Sequence, residues 1–427
     1  MGRTEEARKA LEMASAPPGS SDEEVDRRRQ RKERTKKIVL DQVKIMKVIA
    51  RESDLATQTT LSQVSKSYEN IARPLLYSSI TITSLEQVDK LVSSIESNPS
   101  LGELVTSLKL TPLDTDSSDS PSSILPSLQM LLSLLPNLIN FNEDFTSSEW
   151  DVQILSRDYP LTSSASTRQL TTFSSKRCWW EIGAINEFLL SQPKLTSLVF
   201  GGATMDRDWE GTKFKSLLLS SPRKDSSIQS LSIAQIMHED TLAVLLLLSP
   251  QLKSLSIGFQ SLGPSDDDTP LSSIPPALKP VSSTLTHLTL IAPPNPSSSR
   301  VSEDTSTLLD DLLPFLHTLE SLSFQETLHP LPIPIATSQT FLSLPPTLKS
   351  LKVRQLFSVS TGDVLRMLDN PESIPVLEEM DLEWAEAREG EKEDWWKERH
   401  SMRIREACRE FGIKCEAGKG ERKLTIG

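Results

Sequence analysis

The chain contains 427 residues, with 46 basic and 58 acidic side chains that give a formal net charge of −12. This length fits about three ordinary domains or one long array of repeats. Its longest unbroken apolar run, Leu242–Leu248, has seven residues, far fewer than the roughly 20 that a membrane-spanning helix needs. The chain has only three cysteines, an odd number without metal-binding spacing, which argues against a secreted disulfide scaffold. We therefore expect an intracellular protein that is cytoplasmic, nuclear or both.

Residues 1–35 lack hydrophobic periodicity and contain an acidic patch followed by a basic run that begins at Arg27. Such a composition buries too little apolar surface to fold, so we expect a disordered tail. The basic run extends to Lys37 and has two interpretations: a nuclear-import or nucleic-acid-binding patch, or a solvated segment that leads into a helix. Because the whole chain is acidic and no basic stripe recurs, nucleic-acid recognition has little support.

Residues 36–76, before the first predicted strand, contain short apolar clusters. The stretches Val64-Ser65-Lys66-Ser67-Tyr68 and Pro74-Leu75-Leu76-Tyr77 resemble the F-box of fungal F-box/leucine-rich-repeat proteins, with Val39-Leu40 standing where that family has Leu-Pro. The resemblance implies that the segment is helical and docks onto a Skp-type adaptor of a cullin-RING ubiquitin ligase. The residues expected to dock are Leu40, Val43, Val48, Leu55, Leu61, Val64, Pro74 and Leu75. The same segment could instead only cap the open N-terminal edge of a repeat array.

A phrase of the form Leu-x-x-Leu-x-apolar recurs through residues 77–390, which we assign to a repeat array. Strict copies begin at Leu195, Leu252, Leu285, Leu319 and Leu348. Copies with substitutions begin at Tyr77, Val105, Leu138, Leu170, Ile228 and Leu377. Successive copies start 24 to 34 residues apart. Two further matches, at Leu242 and Leu328, fall outside this spacing and are interpreted as part of an apolar helix and of a proline-rich loop.

Helical patterns lie between the phrases, over 84–97, 124–135, 179–191, 239–249, 303–316 and 361–370. Several begin with a capping residue such as Thr361, and many stop at a proline. One strand and one helix cannot bury their apolar faces alone, so the units must stack into a parallel strand layer inside a helical layer. The prediction is a curved α/β solenoid.

The phrases and their irregular period resemble the leucine-rich repeats of F-box proteins. The Asn or Cys that usually follows the strand phrase in such repeats is missing: Phe200 is followed by Gly201, and Ile257 by Gly258. The turn after each strand must therefore be hydrogen-bonded in another way.

Residues 391–427 are predicted to form a C-terminal cap. Trp396, His400, Ile404, Cys408 and Phe411 are spaced by four, four, four and three residues, which places them on one face of a helix. A packed core thiol is the preferred interpretation of Cys408. The residues 413–415 are then predicted to form a final edge strand.

Alternation along each phrase directs the leucines into the core and the intervening side chains onto the concave strand face. That face is predicted to carry small hydroxyl residues in the middle of the array and charged residues at its C-terminal end. A protein partner is expected to contact His287, Gln325, Lys352, Arg354, Glu379 and Asp381. The other interpretation of the charged rows is a solvated strand face without a partner.

Enzyme and cofactor sites have no recognisable pattern in the sequence. The five histidines lie on different repeats, and no phosphate loop or nucleophile elbow is found. We therefore expect a non-catalytic protein without metal or cofactor. Two functions are considered: a substrate-recognition adaptor of a cullin-RING ligase, monomeric outside that complex, whose repeats bind a protein substrate; or a repeat scaffold with no ubiquitin-ligase role.

Overall fold

The structure is a computed structural model in which the chain divides into two compact units, residues 1–79 and 80–427. The residues that it describes are 27–34, 37, 44, 59–60, 63, 66–111, 124–143, 154–155, 169–204, 226–236, 239–259, 274–291, 308–326, 335–370, 374–384 and 394–419.

In the first unit, residues 27–34 are helical and all their side chains are exposed, whereas the composition predicted a disordered tail. Arginine, lysine, glutamine and glutamate are good helix formers, which accounts for helix in a segment without apolar periodicity. The unit also contains helix α1, Lys66–Ser78. In α1, Ala72 is buried and Leu75 is half-buried, while Pro74 is exposed. Because they are three residues apart, Ala72 and Leu75 lie on one apolar stripe of the helix.

The second unit is built on one sheet, which has thirteen strands within the described residues. They are β1 (Ser79–Ile82), β2 (Ser107–Leu110), β3 (Asn140–Glu143), β4 (Ile154–Leu155), β5 (Thr172–Glu181), β6 (Ser197–Thr204), β7 (Ser230–Ile236), β8 (Ser254–Phe259), β9 (His287–Ile291), β10 (Ser321–Gln325), β11 (Ser350–Leu356), β12 (Glu379–Trp384) and β13 (Lys414–Lys419). The sheet follows chain order, except that β4 pairs with β5 off this path. The pairings with a defined register, from β2 to β13, are all parallel. The predicted α/β class and parallel strand layer are therefore confirmed.

The recurring phrase determines where each strand begins. A strand begins two residues after the start of every phrase copy, from Tyr77 before β1 to Leu377 before β12. The second residue of each strand from β6 to β11 is aligned with that of its neighbours. In these strands this residue is a leucine that is at most 2% exposed: Leu198, Leu231, Leu255, Leu288, Leu322 and Leu351. The predicted stack of leucine rungs is therefore confirmed. Of the two phrases outside the spacing, Leu242 lies in a helix and Leu328 lies outside the described residues.

A second ladder joins the backbone just before each strand. The N–H groups of Thr196 and Ser197 both donate to the carbonyl oxygen of Thr171, at 2.9 and 3.1 Å. The same two-donor pattern recurs at each repeat up to Glu378 and Glu379, which donate to the carbonyl oxygen of Lys349. Because only backbone atoms take part, the accepting position tolerates Thr, Gln, Lys or Glu side chains. This ladder holds the starts of these strands in register without a recurring polar side chain.

Helices connect the strands on the leucine side of the sheet, and 3-10 turns occur at Pro99–Leu104, Lys279–Val281 and Leu313–Phe315. The helices are α2 (Leu85–Ser97), α3 (Ile124–Ser133), α4 (Ile182–Ser191), α5 (Glu239–Leu247), α6 (Ile274–Leu278), α7 (Leu308–Leu312), α8 (Ser338–Leu342), α9 (Thr361–Leu368) and α10 (Asp394–Glu410). Each of the six predicted helical patterns contains a helix. The pattern over 179–191 is wrong at its start, because residues 179–181 extend β5 and pair with β6. None of the described helices is both long and apolar enough to cross a bilayer.

The C-terminal helix α10 packs as predicted over part of its length. Ile404 and Cys408 are completely buried, whereas Phe411 is 45% exposed, so its predicted core position is wrong. The helix ends at Glu410, and Gly412, with a φ of 71°, turns the chain toward β13. A left-handed glycine is a common helix terminator, and the helical period no longer applies beyond it. The side chains of the other two predicted core residues, Trp396 and His400, are outside the described set.

Candidate partner-binding surface

The face of the sheet opposite the leucines is open to solvent. In β7 to β11 it is lined by small hydroxyl side chains that are aligned between strands and partly exposed: Ser230, Ser232, Ser254, Ser256, Thr289, Ser321, Ser323 and Ser350. The predicted alternation between core leucines and open-face polar residues is observed in these strands. Side chains this small leave the sheet backbone accessible to a partner.

Gly258 is an exception to the predicted open face, because it is buried. A Cβ atom at this position would lie 1.9 Å from the carbonyl oxygen of Ala234 in the neighbouring strand. The pairing of β7 with β8 becomes irregular between Ile233 and Ile236, and the shift carries this carbonyl over the glycine. The open face of β8 therefore ends at Ser256.

The last three strands carry a charged cluster on the open face, which we term the charged end. Its members on β11, β12 and β13 are Lys352, Arg354, Glu379, Asp381, Glu383, Lys414 and Glu416. Lys352 is aligned with Asp381, and Glu379 with Lys414. Three basic and four acidic groups are thus brought together in nearly balanced proportion.

Ion pairs join neighbouring strands of the charged end. One guanidinium nitrogen of Arg354 lies 2.7 Å from Asp381 Oδ2, and the other lies 2.7 Å from Glu383 Oε2. Glu379 lies between two lysines, with its carboxylate oxygens 3.9 Å from Lys352 Nζ and 3.5 Å from Lys414 Nζ. Arg354 and Lys352 remain nearly half exposed, so each pair contributes at most about 1 kcal/mol. The charged side chains can therefore exchange their ion-pair partners at little cost in free energy.

A bulge in β11 lies beside Arg354. The pairing with β12 shifts between Val353 and Leu356, and Gln355 has a φ of 53°. This left-handed conformation is uncommon for a residue other than glycine. The inserted residue leaves both Arg354 and Gln355 exposed and returns Leu356 to the core, where it is 1% exposed.

Five of the six predicted partner-binding residues lie together. Gln325 is aligned with Arg354 on the neighbouring strand, beside the charged end. His287 shares a rung with Glu379 but lies three strands away on β9, roughly 14 Å at the usual strand spacing. Its Nδ1 lies 2.8 Å from the hydroxyl of Thr286. His287 therefore belongs to the hydroxyl-lined part of the face and not to the charged end.

Three residues of the charged end were not among the predicted partner-binding residues: Glu383, Lys414 and Glu416. The period of two does predict Glu383 on the open face with Glu379 and Asp381, because it ends the same alternating row. Lys414 and Glu416 follow the same alternation along β13, but their position depends on β13 pairing with β12. The sequence of residues 413–415 does not indicate which strand pairs with them.

Six of the eight predicted adaptor-docking residues lie outside the described residues: Leu40, Val43, Val48, Leu55, Leu61 and Val64. Pro74 and Leu75 lie in α1, where Pro74 is exposed and Leu75 half-buried. The described part of this segment thus consists mainly of one amphipathic helix.

The chemistry available on the open face is recognition by hydrogen bonds and charge. Within the described ranges, no group of three or more His, Cys, Asp or Glu side chains is arranged to hold a metal ion. No protein-family model matches the sequence, and no curated protein matches it significantly.

Proposed function

We propose that this chain is a substrate-recognition adaptor of a cullin-RING ubiquitin ligase. In this proposal, residues 36–76 are an F-box-like segment that docks onto a Skp-type adaptor, and residues 77–390 are leucine-rich repeats that bind a protein substrate. The observation that carries the substrate-binding part is the charged end beside an open face of aligned hydroxyls. The docking part is supported by the resemblance at residues 64–68 and 74–77.

The open face suits a protein partner in two respects. Small serine and threonine side chains allow an extended segment of another chain to approach the strands closely. Beside them, Arg354 presents a planar group with two donor edges, which suits carboxylates of a partner. Since the exposed pairs at Asp381 and Glu379 contribute little stability, a partner can replace them and gain orientation from the pattern of charge.

The docking proposal is tested by coexpression of the full chain with the Skp-type adaptor, followed by size-exclusion chromatography. A complex that elutes ahead of the free chain is the expected result. Leu75→Arg is expected to weaken the complex at least about tenfold, because it places a charge on the apolar stripe of α1. Asn70→Arg, an exposed position of the same helix, adds the same charge and should leave binding unchanged.

A folded chain that never coelutes with the adaptor would contradict the ligase proposal. That result would favour the alternative, a repeat scaffold that tethers partners without a ubiquitin-ligase role. Circular dichroism of the eluted chain distinguishes a failure to bind from a failure to fold. Equal binding by the two arginine variants would show that α1 does not form the docking surface.

A further inference from the structure

Two cysteines lie where α10 meets β13, and the proposed function uses neither of them. Cys408, in the last turn of α10, is completely buried, and Cys415, the second residue of β13, is half-buried; both thiols are free. The tight turn at Gly412 and a 2.8 Å hydrogen bond from the N–H of Ile413 to the carbonyl oxygen of Cys408 hold the two segments together.

The two side chains lie in the same layer of the core, between α10 and the sheet. Cys415 is aligned with the buried Met380 of β12, so it lies on the leucine side of the sheet, beneath α10. Cys408 lies four residues after the buried Ile404, on the face of α10 that packs against β13, so it is directed into the same layer. A disulfide requires that two cysteines bring their Cβ–S bonds together, and the tight turn at Gly412 places this pair seven residues apart on facing elements.

The two thiols differ in reactivity. The neighbouring Cys408 thiol lowers the pKa of Cys415, and the Arg405 guanidinium acts in the same direction, against burial and the carboxylates of Asp381 and Glu416. The neighbouring Cys415 thiol, together with burial, raises the pKa of Cys408. Because the thiolate is the nucleophilic form, Cys415 is both the more reactive and the more accessible of the two.

We infer that Cys408 and Cys415 form a reversible dithiol–disulfide site that is oxidised by peroxide, with Cys415 as the attacking thiol and Cys408 as the resolving thiol. The Cys415 thiolate attacks one oxygen of hydrogen peroxide, the O–O bond breaks, and the departing hydroxide takes a proton to become water. The sulfur of Cys408 then gives up its proton and attacks the sulfenic acid sulfur. The S–O bond breaks and a second water leaves, so two thiols and one peroxide give one disulfide and two waters.

The disulfide would join the last turn of α10 to the start of β13. Cys415 lies between Lys414 and Glu416, so the bond would fix the strand that carries two members of the charged end. A thiol reductant reverses the reaction by exchange. Oxidation would therefore stiffen the C-terminal edge of the described sheet without changing its charge.

Tryptic mapping of the full chain gives a direct test, because trypsin cleaves after Arg405, Arg409, Lys414 and Lys419. The reduced protein is treated with hydrogen peroxide, its free thiols are alkylated, and the digest is analysed by mass spectrometry. The expected product is peptide 406–409 linked to peptide 415–419, lighter by two hydrogens than the sum of both. A reductant should abolish this species.

Three variants assign the roles of the cysteines. Cys408→Ser should leave Cys415 as a sulfenic acid that dimedone traps, whereas Cys415→Ser should slow oxidation of Cys408 at least about tenfold. Cys178→Ser should leave the linked peptide unchanged. The inference is wrong if the folded wild-type protein yields no linked peptide, or if it accumulates Cys415 sulfenic acid alone. Faster alkylation of Cys408 than of Cys415 in the native protein would overturn the assignment of roles.

Discussion

At the scale of single residues, Glu326 shows how one turn is satisfied without the usual Asn or Cys. Its side chain directly follows β10 and is fully buried. One carboxylate oxygen accepts from the N–H groups of Ile335 and Ala336, at 3.0 and 3.3 Å, and the other from those of Phe357 and Ser358, at 2.9 and 3.1 Å. The Ser358 hydroxyl adds a fifth donor. One carboxylate therefore organises the segments that lead into α8 and α9.

The sequence alone did not identify Glu326 as the group that bonds these turns. The missing Asn or Cys showed that another group must bond the turns, but a single acidic residue in a long Ser/Pro-rich stretch does not reveal its donors. Those donors come from segments 9 to 32 positions further along the chain. Only the tertiary arrangement brings them to Glu326.

Replacing Glu326 with glutamine should lower the free energy of unfolding by roughly 1 to 3 kcal/mol. The amide keeps one oxygen but turns an N–H₂ group toward backbone N–H donors, so that buried donors face each other. Urea denaturation at neutral pH measures the change. Glu320→Gln removes a carboxylate that is 42% exposed and paired with Lys349, and should change stability by less than about 0.5 kcal/mol. Equal effects of the two substitutions would contradict the assigned role of Glu326.

At the scale of strands and helices, patterns with a short period predicted the structure best. Each phrase located its strand because a leucine every second or third residue marks the buried side. Helix ends were less predictable: the cap of α9 is Ser360, not Thr361, since its hydroxyl accepts from the N–H of Asp363 and the Asp363 carboxylate accepts from the N–H of Ser360. Thr361 is instead a buried first-turn residue. Hydroxyl residues in succession leave the cap ambiguous until the backbone is known.

The candidate site was predictable within a strand but not between strands. Period two placed Lys352, Arg354, Glu379 and Asp381 on the open face. The pairing of Arg354 with two carboxylates depends on the alignment of β11 with β12, which the sequence does not mark.

Reversing the charge of Lys352 and Arg354 together, by substitution with glutamate, should release the protein partner. The change replaces the basic groups of β11 with further carboxylates beside those of β12, so a partner that pairs with this pattern should lose at least about tenfold in affinity. Affinity purification of the full chain followed by mass spectrometry measures the copurifying proteins. Lys349→Glu, an exposed position just before the same strand, is the control. An unchanged set of copurifying proteins in the double variant would show that the charged end is only a solvated strand face.

At the scale of the whole array, the stack of units was predictable because a single strand and helix cannot bury their apolar faces. Each leucine rung packs mainly against the rungs before and after it, as the aligned series from Leu198 to Leu351 shows. The extension of β5 to Glu181 was not predictable in this way, because its last residues are fixed by pairing with β6. Stacking thus follows from composition, whereas local departures follow from particular neighbours.

Truncating one rung should therefore have a local effect. Leu322→Ala removes a fully buried side chain between Leu288 and Leu351, and should cost roughly 2 to 5 kcal/mol of unfolding free energy. If stability is carried by contacts between neighbouring units, amide hydrogen exchange should accelerate in β9, β10 and β11, while β2 and β3 keep their protection. Ser323→Ala, the next residue on the open face, should leave both measurements nearly unchanged. Equal acceleration in β2 and β10 would instead show that the sheet unfolds as one cooperative body, since the loss at one rung would then be shared by all of them.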